Sequence, residues 1–133
     1  MLDDNCLFCK IIKGEIPSYT IYETDTVKAF MDIVPMAKGH LLIIPKKHFT
    51  NLLDVDNIFL RDIDEAIKII YPKLKEKLGA QGLTRLQNNE FGQEVKHYHM
   101  HLIPRYSGDK FIENKDKEAE KTLENTFQIL TLK

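Results

Sequence analysis

Three histidines occupy alternate positions of one apolar segment, His97-Tyr98-His99-Met100-His101-Leu102-Ile103. Side chains two residues apart in a β-strand point to the same face, so this alternation predicts a strand with its imidazoles on one side. The apolar residues between the histidines would cover the other side of the strand. Three of the five histidines in the chain fall within this run, which favours a shared role in a half-buried cleft.

The spacing of the run limits what these histidines can do together. Along a straight strand, the Cα atoms of His97 and His101 would be about 13 Å apart. A zinc ion needs each ligating nitrogen at about 2.0 Å, so one ion cannot bind all three imidazoles of such a strand. One or two of them remain for nucleophilic or acid–base chemistry.

Periodicity and turn residues predict the other elements. A short helix covers residues 7–13 and ends at Gly14, and a long helix begins at Asp54 or Asp56 and ends at Gly79. The apolar stripe of the long helix contains Pro72, which is expected to kink or split it. Strands are predicted at 19–23, 27–31, 40–44, 83–87 and 95–103, with a hairpin at Thr24-Asp25 and a tight turn at 88–92.

This order predicts an α+β domain with a largely antiparallel sheet and one long helix, because strands and helices do not alternate regularly. The 133 residues suit one domain, with a core over about 6–106 and a tail over about 107–133. The tail predicts a helix from Lys115 to Leu130, with Ala119, Leu123 and Phe127 on the same face as Leu130. That helix would pack either on its own domain or against a second subunit.

Composition excludes several classes of partner. The net charge of −1 gives no general attraction to nucleic acid or anionic lipid, and no apolar stretch approaches the roughly 20 residues that span a bilayer. The acidic N-terminus lacks the features of a secretory signal. We therefore expect a cytoplasmic protein with reduced cysteines and with neither nucleic-acid nor membrane partners.

The cysteine pair Cys6-Leu7-Phe8-Cys9 has three interpretations. A redox-active pair normally follows a strand, but only five residues precede this one. The pair is otherwise two buried thiols, or half of a zinc site. A zinc site needs two further ligands, for which His40, His48 and the histidine run are available.

Five segments together resemble the histidine triad (HIT) family, specifically small bacterial-type members of its Hint-like branch. They are residues 6–12, 29–33, 39–48, 92–95 and 97–105, within a match that runs from Cys6 to about Tyr106. The resemblance implies a HIT-like fold whose antiparallel sheet continues across a two-fold homodimer. It also implies a nucleotide hydrolase or transferase that acts on nucleoside phosphoramidates or related nucleotide conjugates.

The resemblance also implies roles for particular residues. His99 would attack the α-phosphorus to form a nucleotidyl-histidine, and His101 would contact the phosphate or the leaving group. Asp32 would bind the ribose hydroxyls, and Phe30 and Ile33 would flank a purine base. The residues that would contact the nucleotide are Phe30, Asp32, Ile33, Asn88, Gly92, Gln93, Glu94, His99 and His101.

In some relatives a structural zinc ion is held by residues that match Cys6, Cys9, His48 and His97. His97 would then serve the metal, while His99 and His101 face the phosphate. His40 receives no firm role beyond a hydrogen bond beneath the histidine run. Glu94 departs from the family, since many relatives have Ser or Thr there, and a carboxylate would repel the phosphate.

Three alternatives to the phosphoramidase hypothesis stay open at this point. The domain would be a nucleotide-binding or scaffold module with vestigial catalysis, for which Glu94 is the support. It would otherwise be a dinucleoside polyphosphate hydrolase using the same nucleophile. A zinc-dependent hydrolase is the third alternative, and chelation would then abolish activity without loosening the fold.

Overall fold

The computed structural model describes residues 1–111 and 116–132. Its elements are α1 (Leu7–Ile12), β1 (Thr20–Glu23), β2 (Val27–Met31), β3 (Leu41–Pro45), α2 (Asn57–Leu78), β4 (Gly82–Leu86), β5 (Met100–Arg105), α3 (Lys117–Lys121) and α4 (Leu123–Thr131). The strands form one antiparallel sheet in the order β1-β2-β3-β5-β4. The predicted α+β class and the hairpin between β1 and β2 are confirmed.

The two faces of the sheet carry separate apolar clusters. Alternate residues of β2 and β3, such as Ala29 and Ile43, pack with the buried side of α2. Their neighbours Phe30 and Leu42 face the opposite side and pack with α1. Both faces are therefore covered near the middle of the sheet, which explains why β3 is buried along its whole length.

Helix α2 is continuous over its full length. Asp56 caps it by accepting a hydrogen bond from the amide of Ile58, and Gly79 ends it in the left-handed conformation at φ 74°. Pro72 does not split the helix. Pro72 and Lys68 both lie on the exposed side, so water can solvate the Lys68 carbonyl that proline leaves without an intrahelical donor.

The predicted histidine strand is wrong in its first half, because β5 begins only at Met100. Its pairing with β3 ends at Ile43↔Met100. Two positions later, Pro45 has no N–H to donate, and its carbonyl accepts a hydrogen bond from the ring of His97 instead of from a strand. The alternation of faces nevertheless persists, since Tyr98 and Met100 pack into the cluster beside α2.

The tail forms two short helices, α3 and α4, in place of the single predicted helix, whose expected start at Lys115 lies outside the described residues. None of the residues in these two helices is buried. Phe127 is 65% exposed and Leu130 is 78% exposed, so helices α3 and α4 do not pack on the rest of the domain. Among the described helices, none is both long and apolar enough to cross a bilayer.

Candidate active site

A row of paired residues crosses the α1 side of the sheet and forms the floor of a cavity of about 560 Å³. Phe30 on β2 pairs with Leu42 on β3, Leu42 pairs with His101 on β5, and His101 pairs with Leu86 on β4. Directly paired residues of neighbouring strands share a face, so these side chains stand side by side beneath the cavity. The ends of β2 and β5 thereby bring His101 close to the loop that follows β2.

The ring of His99 lies in the wall of this cavity and is 5% exposed. Its Nδ1 is 2.7 Å from the backbone oxygen of His97. A carbonyl oxygen only accepts, so Nδ1 carries the proton and donates it, and Nε2 keeps its lone pair. Burial lowers the pKa of His99, although the His97 carbonyl acts in the opposite direction. The site therefore holds a neutral imidazole in the tautomer that a nucleophile needs.

His101 is held in the other tautomer by a chain of two hydrogen bonds. The amide of Met36 donates to Nδ1 of His40 at 2.9 Å, so the proton of a neutral His40 is on Nε2. That nitrogen lies 2.9 Å from Nδ1 of His101 and donates to it. Nδ1 of His101 is thus an acceptor, and the proton of its ring is on Nε2. His99 and His101, with ring centroids 5.2 Å apart, offer a lone pair and a donor respectively.

Asp32 lies beside this chain and lines the cavity. Its Oδ1 accepts from the amide of Val34 at 2.9 Å, and its Oδ2 lies 3.5 Å from Nε2 of His40 and 3.9 Å from Nδ1 of His101. Burial lowers the pKa of His40 and of His101, and the charge of Asp32 partly offsets this effect. Oδ2 is therefore the oxygen best placed to receive a ligand hydroxyl.

A second group of side chains has the spacing of a metal site. Its potential ligand atoms, from Asp32, His40 and His101, lie within 4.8 Å of one another. The Met36 amide argues against that use. A metal ion on Nε2 of His40 would move the ring proton to Nδ1, where it would face the N–H of Met36. The hydrogen-bond chain fits the observed donors without such a conflict.

The loop before the histidine run brings some predicted residues to the cavity and not others. Asn88, Gly92 and Glu94 line it. Asn89, which the sequence does not separate from Asn88, instead accepts a hydrogen bond from the amide of Leu52 at 2.8 Å. Asn88 is therefore the asparagine that faces the cavity.

Gln93 does not line the cavity, in contrast to its predicted contact with the nucleotide. Its side-chain nitrogen donates to the carbonyl of Thr50 at 2.6 Å, and its side-chain oxygen accepts from the amide of Glu90 at 3.0 Å. Gln93 is buried, and both ends of its amide are hydrogen-bonded to other residues of the protein. Its observed role is to hold the loop that carries Asn88 and Glu94.

The side chains of Cys6, Cys9, His48 and His97 meet on the far side of the histidine run, with their ligand atoms within 4.8 Å of one another. Nδ1 of His97 lies 3.4 Å from Sγ of Cys6 and 3.5 Å from Sγ of Cys9. Nδ1 of His48 lies 3.4 Å from Sγ of Cys9. Tetrahedral zinc with ordinary bond lengths sets sulfur and nitrogen about 3.6 Å apart, so this cluster has the size of a zinc site.

The protonation of the cluster also suits a metal ion. Nε2 of His97 donates to the carbonyl of Pro45 at 3.0 Å, which leaves Nδ1 without a proton and free to act as a ligand. Burial raises the pKa of Cys9 to about 11, so a nearby cation is needed to turn this thiol into a thiolate. The four residues therefore fit a bound zinc ion in both geometry and donor chemistry.

Comparison with known proteins identifies the family. The HIT domain matches residues 13–108 of the chain. This chain is a member of the HIT family. Adenosine 5'-monophosphoramidase HNT1 of Saccharomyces cerevisiae is 46% identical to it over 106 residues, which is 78% of this chain and 65% of the yeast protein.

Solved structures of HIT proteins share the fold. A HIT family protein from Bacillus anthracis superposes with a TM-score of 0.83 at 37% identity, covering 96% of this chain and 94% of that one. A Zn-bound histidine triad family protein from Mycobacterium smegmatis superposes with a TM-score of 0.78 at 31% identity, covering 95% of each chain. The HIT-like fold predicted from the five segments is thereby confirmed.

The HIT domain also uses residues at this site that sequence reasoning missed. Helix α1 and the loop after it form one wall of the cavity through Leu7, Phe8, Ile11 and Ile16. The ring of Phe8 contacts the rings of His99 and His97 edge-on, with centroid distances of 5.1 and 5.9 Å. The only sequence signal for Phe8 is its position inside the cysteine pair, and none of the three interpretations of that pair gives Phe8 a role.

Proposed function

We propose that this HIT protein is a nucleotide hydrolase or transferase that cleaves nucleoside phosphoramidates or related nucleotide conjugates through a nucleotidyl-histidine on His99. The observation that carries the proposal is the hydrogen bond from Nδ1 of His99 to the His97 carbonyl, which leaves the lone pair on Nε2. The phosphoramidase activity in the name of the yeast relative supports the same substrate class.

In the first step, Nε2 of His99 forms a bond to the α-phosphorus, and the bond from phosphorus to the leaving nitrogen breaks. The leaving nitrogen takes a proton from solvent and departs as an amine. Nε2–H of His101 donates a hydrogen bond to an oxygen of the phosphate, where negative charge develops. In the second step, water attacks phosphorus, releases a nucleoside monophosphate and returns a proton to solvent, and His99 is neutral again.

The remaining predicted contacts divide between the parts of the nucleotide. Asp32 would accept hydrogen bonds from the ribose hydroxyls through its Oδ2, since Oδ1 is already engaged by Val34. Phe30 lies under the cavity and Ile33, which is 82% exposed, lies at its rim, so the two would flank a base with apolar surface. Asn88 and Gly92 would lie beside the phosphate.

Zinc is proposed as a structural ion, one per chain, bound by Cys6, Cys9, His48 and His97. With four protein ligands the ion has no open position, and its binding free energy would stabilise the fold. The Zn-bound relative supports this assignment, as do the spacing and protonation of the four side chains. A zinc-dependent hydrolysis is disfavoured because it requires an open ligand position.

A two-fold homodimer and a location in the cytoplasm complete the proposal. The sheet has open edges at β1 and β4, and pairing of one edge with its copy would continue the sheet across the dimer. Thiols that bind zinc also suit a reducing compartment. Light scattering of the purified protein at two concentrations measures the dimer directly.

The test of the catalytic proposal traps the intermediate. Enzyme mixed with an adenosine phosphoramidate labelled in the nucleotide and quenched within milliseconds should carry an acid-labile, base-stable label on His99. His99→Ala should form no adduct and show turnover reduced by at least about 1,000-fold, since a lost nucleophile removes the covalent route. Normal turnover by His99→Ala would reject the mechanism.

One observation favours a binding module as the second candidate. Glu94 lines the cavity with a carboxylate, which opposes the approach of a phosphate. A binding module would retain nucleotide affinity while forming no adduct with phosphoramidates or dinucleoside polyphosphates. Comparing the turnover of these two substrates also separates the phosphoramidase from the polyphosphate hydrolase.

A further inference from the structure

His97 takes part in two sites at once. Its ring belongs to the cysteine–histidine cluster, and its backbone oxygen accepts the hydrogen bond that fixes the tautomer of His99. We propose that metal binding by Cys6, Cys9, His48 and His97 positions the nucleophile, so that the cluster sets the rate of the chemical step as well as stabilising the fold. This inference rests on the proposed function of His99.

The first connection between the two sites runs through His97 itself. Its ring is 0% exposed and is held at both nitrogens, with Nε2 bonded to the carbonyl of Pro45 and Nδ1 facing the cysteine sulfurs. The carbonyl of the same residue lies 2.7 Å from Nδ1 of His99. A shift of the His97 ring therefore moves the acceptor that keeps the lone pair of His99 on Nε2.

The second connection runs through Phe8. This residue lies in the short turn between Cys6 and Cys9, where Sγ of Cys6 also accepts a hydrogen bond from the amide of Cys9 at 3.4 Å. The Phe8 ring packs edge-on against His99. A metal ion that binds both sulfurs would lock this turn, and with it the ring that packs against the nucleophile.

Loss of the metal should therefore act on chemistry more than on nucleotide binding. Of the residues proposed for ribose and base, Asp32 and Ile33 lie in the loop after β2, away from the cluster, whereas Phe30 packs against Phe8 with ring centroids 5.6 Å apart. Misplacement of a reacting group by about 1 Å can lower a rate about 100-fold. We expect kcat to fall and the affinity for a nucleoside monophosphate to change little.

The experiment compares zinc-loaded and chelated full-length protein, together with two variants of His48, which lies outside the cavity. His48→Cys keeps four ligands, whereas His48→Ala keeps three.

Long-range ¹⁵N–¹H NMR spectra of the imidazoles report the tautomer of His99 independently of activity. In chelated protein and in His48→Ala without added zinc, kcat should fall at least about ten-fold, and the Nε2–H tautomer should appear. Added zinc should restore both readouts, and His48→Cys should resemble the unchanged protein.

Phe8→Leu provides a test that does not depend on removing the metal, in case the chelated protein unfolds. It retains all four ligands, so its zinc content should be normal while kcat falls several-fold. Phe59→Leu is the matched control, because Phe59 packs against Phe49 in the other apolar cluster and should leave kcat unchanged.

The outcomes distinguish this inference from the proposed function. If unchanged protein forms no adduct on His99, the proposed function fails. If the adduct forms but folded, metal-free protein keeps both its kcat and the tautomer of His99, only the coupling is overturned. If metal-free protein does not fold, unchanged kcat in Phe8→Leu overturns it instead.

Discussion

Nε2 of His40 lies 2.9 Å from Nδ1 of His101, and this hydrogen bond can run in only one direction. The Met36 amide donates to the other nitrogen of His40, so His40 must donate to His101. His101 then presents N–H toward the cavity, while the His97 carbonyl makes His99 present a lone pair. Two backbone groups thus assign opposite roles to two neighbouring imidazoles of the same chemical type.

The role of His40 is tested by replacing it with two amides of different length. Asn lacks a donor at the position of Nε2, whereas the longer Gln places its amide nitrogen there. Loss of a buried hydrogen bond costs about 1–3 kcal/mol, so His40→Asn should lower kcat about 10- to 100-fold with a smaller change in KM. Steady-state kinetics should show partial recovery in His40→Gln, and equal losses in the two variants would contradict the donor role.

The sequence predicted the order of the strands well, because strands depend on local periodicity, whereas the separate roles of the three histidines stay a prediction that rests on the family resemblance. The alternation at His97, His99 and His101 survives even where the ladder ends. The start of β5 was missed because it depends on the partner strand β3. In that strand Pro45, 52 positions before His97 in the chain, accepts a hydrogen bond from the ring of His97 through its carbonyl. The position at which β5 begins is therefore set by both strands of the pair and cannot be predicted from one of them.

The site was less predictable where a side chain contacts a segment that is distant along the chain. Gln93 has a side-chain amide that could bind a phosphate, yet both ends of this amide are hydrogen-bonded to the backbone of Thr50 and Glu90. Phe8 has no polar group, and only packing places it beside the nucleophile. Neither outcome follows from residue type or spacing, since each depends on contacts between distant segments.

Asp32→Asn tests the ribose contact while preserving the local turn, because the side-chain oxygen of Asn can still accept from Val34. Hydrogen bonds to a charged group contribute about 1.5–3 kcal/mol, so the affinity for adenosine monophosphate should fall at least about ten-fold. Calorimetry with the 2'-deoxy nucleotide is the control. The 2'-deoxy nucleotide should bind the unchanged protein and Asp32→Asn with more similar affinities. An equal loss of affinity for both nucleotides in Asp32→Asn would refute the ribose contact.

Glu94→Gln tests whether the carboxylate in the cavity opposes the phosphate. Glu94 is exposed, so water and salt screen its charge, and its removal should lower the Kd for a nucleoside monophosphate by a few-fold. The gain should shrink as ionic strength rises. Glu76→Gln, which makes the same charge change on the exposed side of α2, should leave Kd unchanged. A weaker affinity in Glu94→Gln would mean that the carboxylate assists binding.

The buried histidines predict how the stability of the metal-free protein depends on pH. Burial lowers the pKa of His97 from its ordinary 6.5 to about 4, and it also lowers the pKa values of His40, His99 and His101. Below pH 6.5 the unfolded chain therefore binds protons that the folded chain does not, and the free energy of unfolding should fall as the pH is lowered. From His97 alone, the loss between about pH 6.5 and pH 4 is roughly 3 kcal/mol.

Urea denaturation of chelated protein at about pH 7, 6 and 5 measures the trend in a range where the lowered pKa values of Asp54 and Asp62 keep those carboxylates ionised. Zinc-loaded protein should be more stable at each pH, because a zinc ion bound to the proposed ligand His97 would compete with protons for Nδ1 of its ring. A free energy of unfolding that stays constant across this range in the chelated protein would show that the histidine rings are solvated in the folded state, contrary to the burial described above.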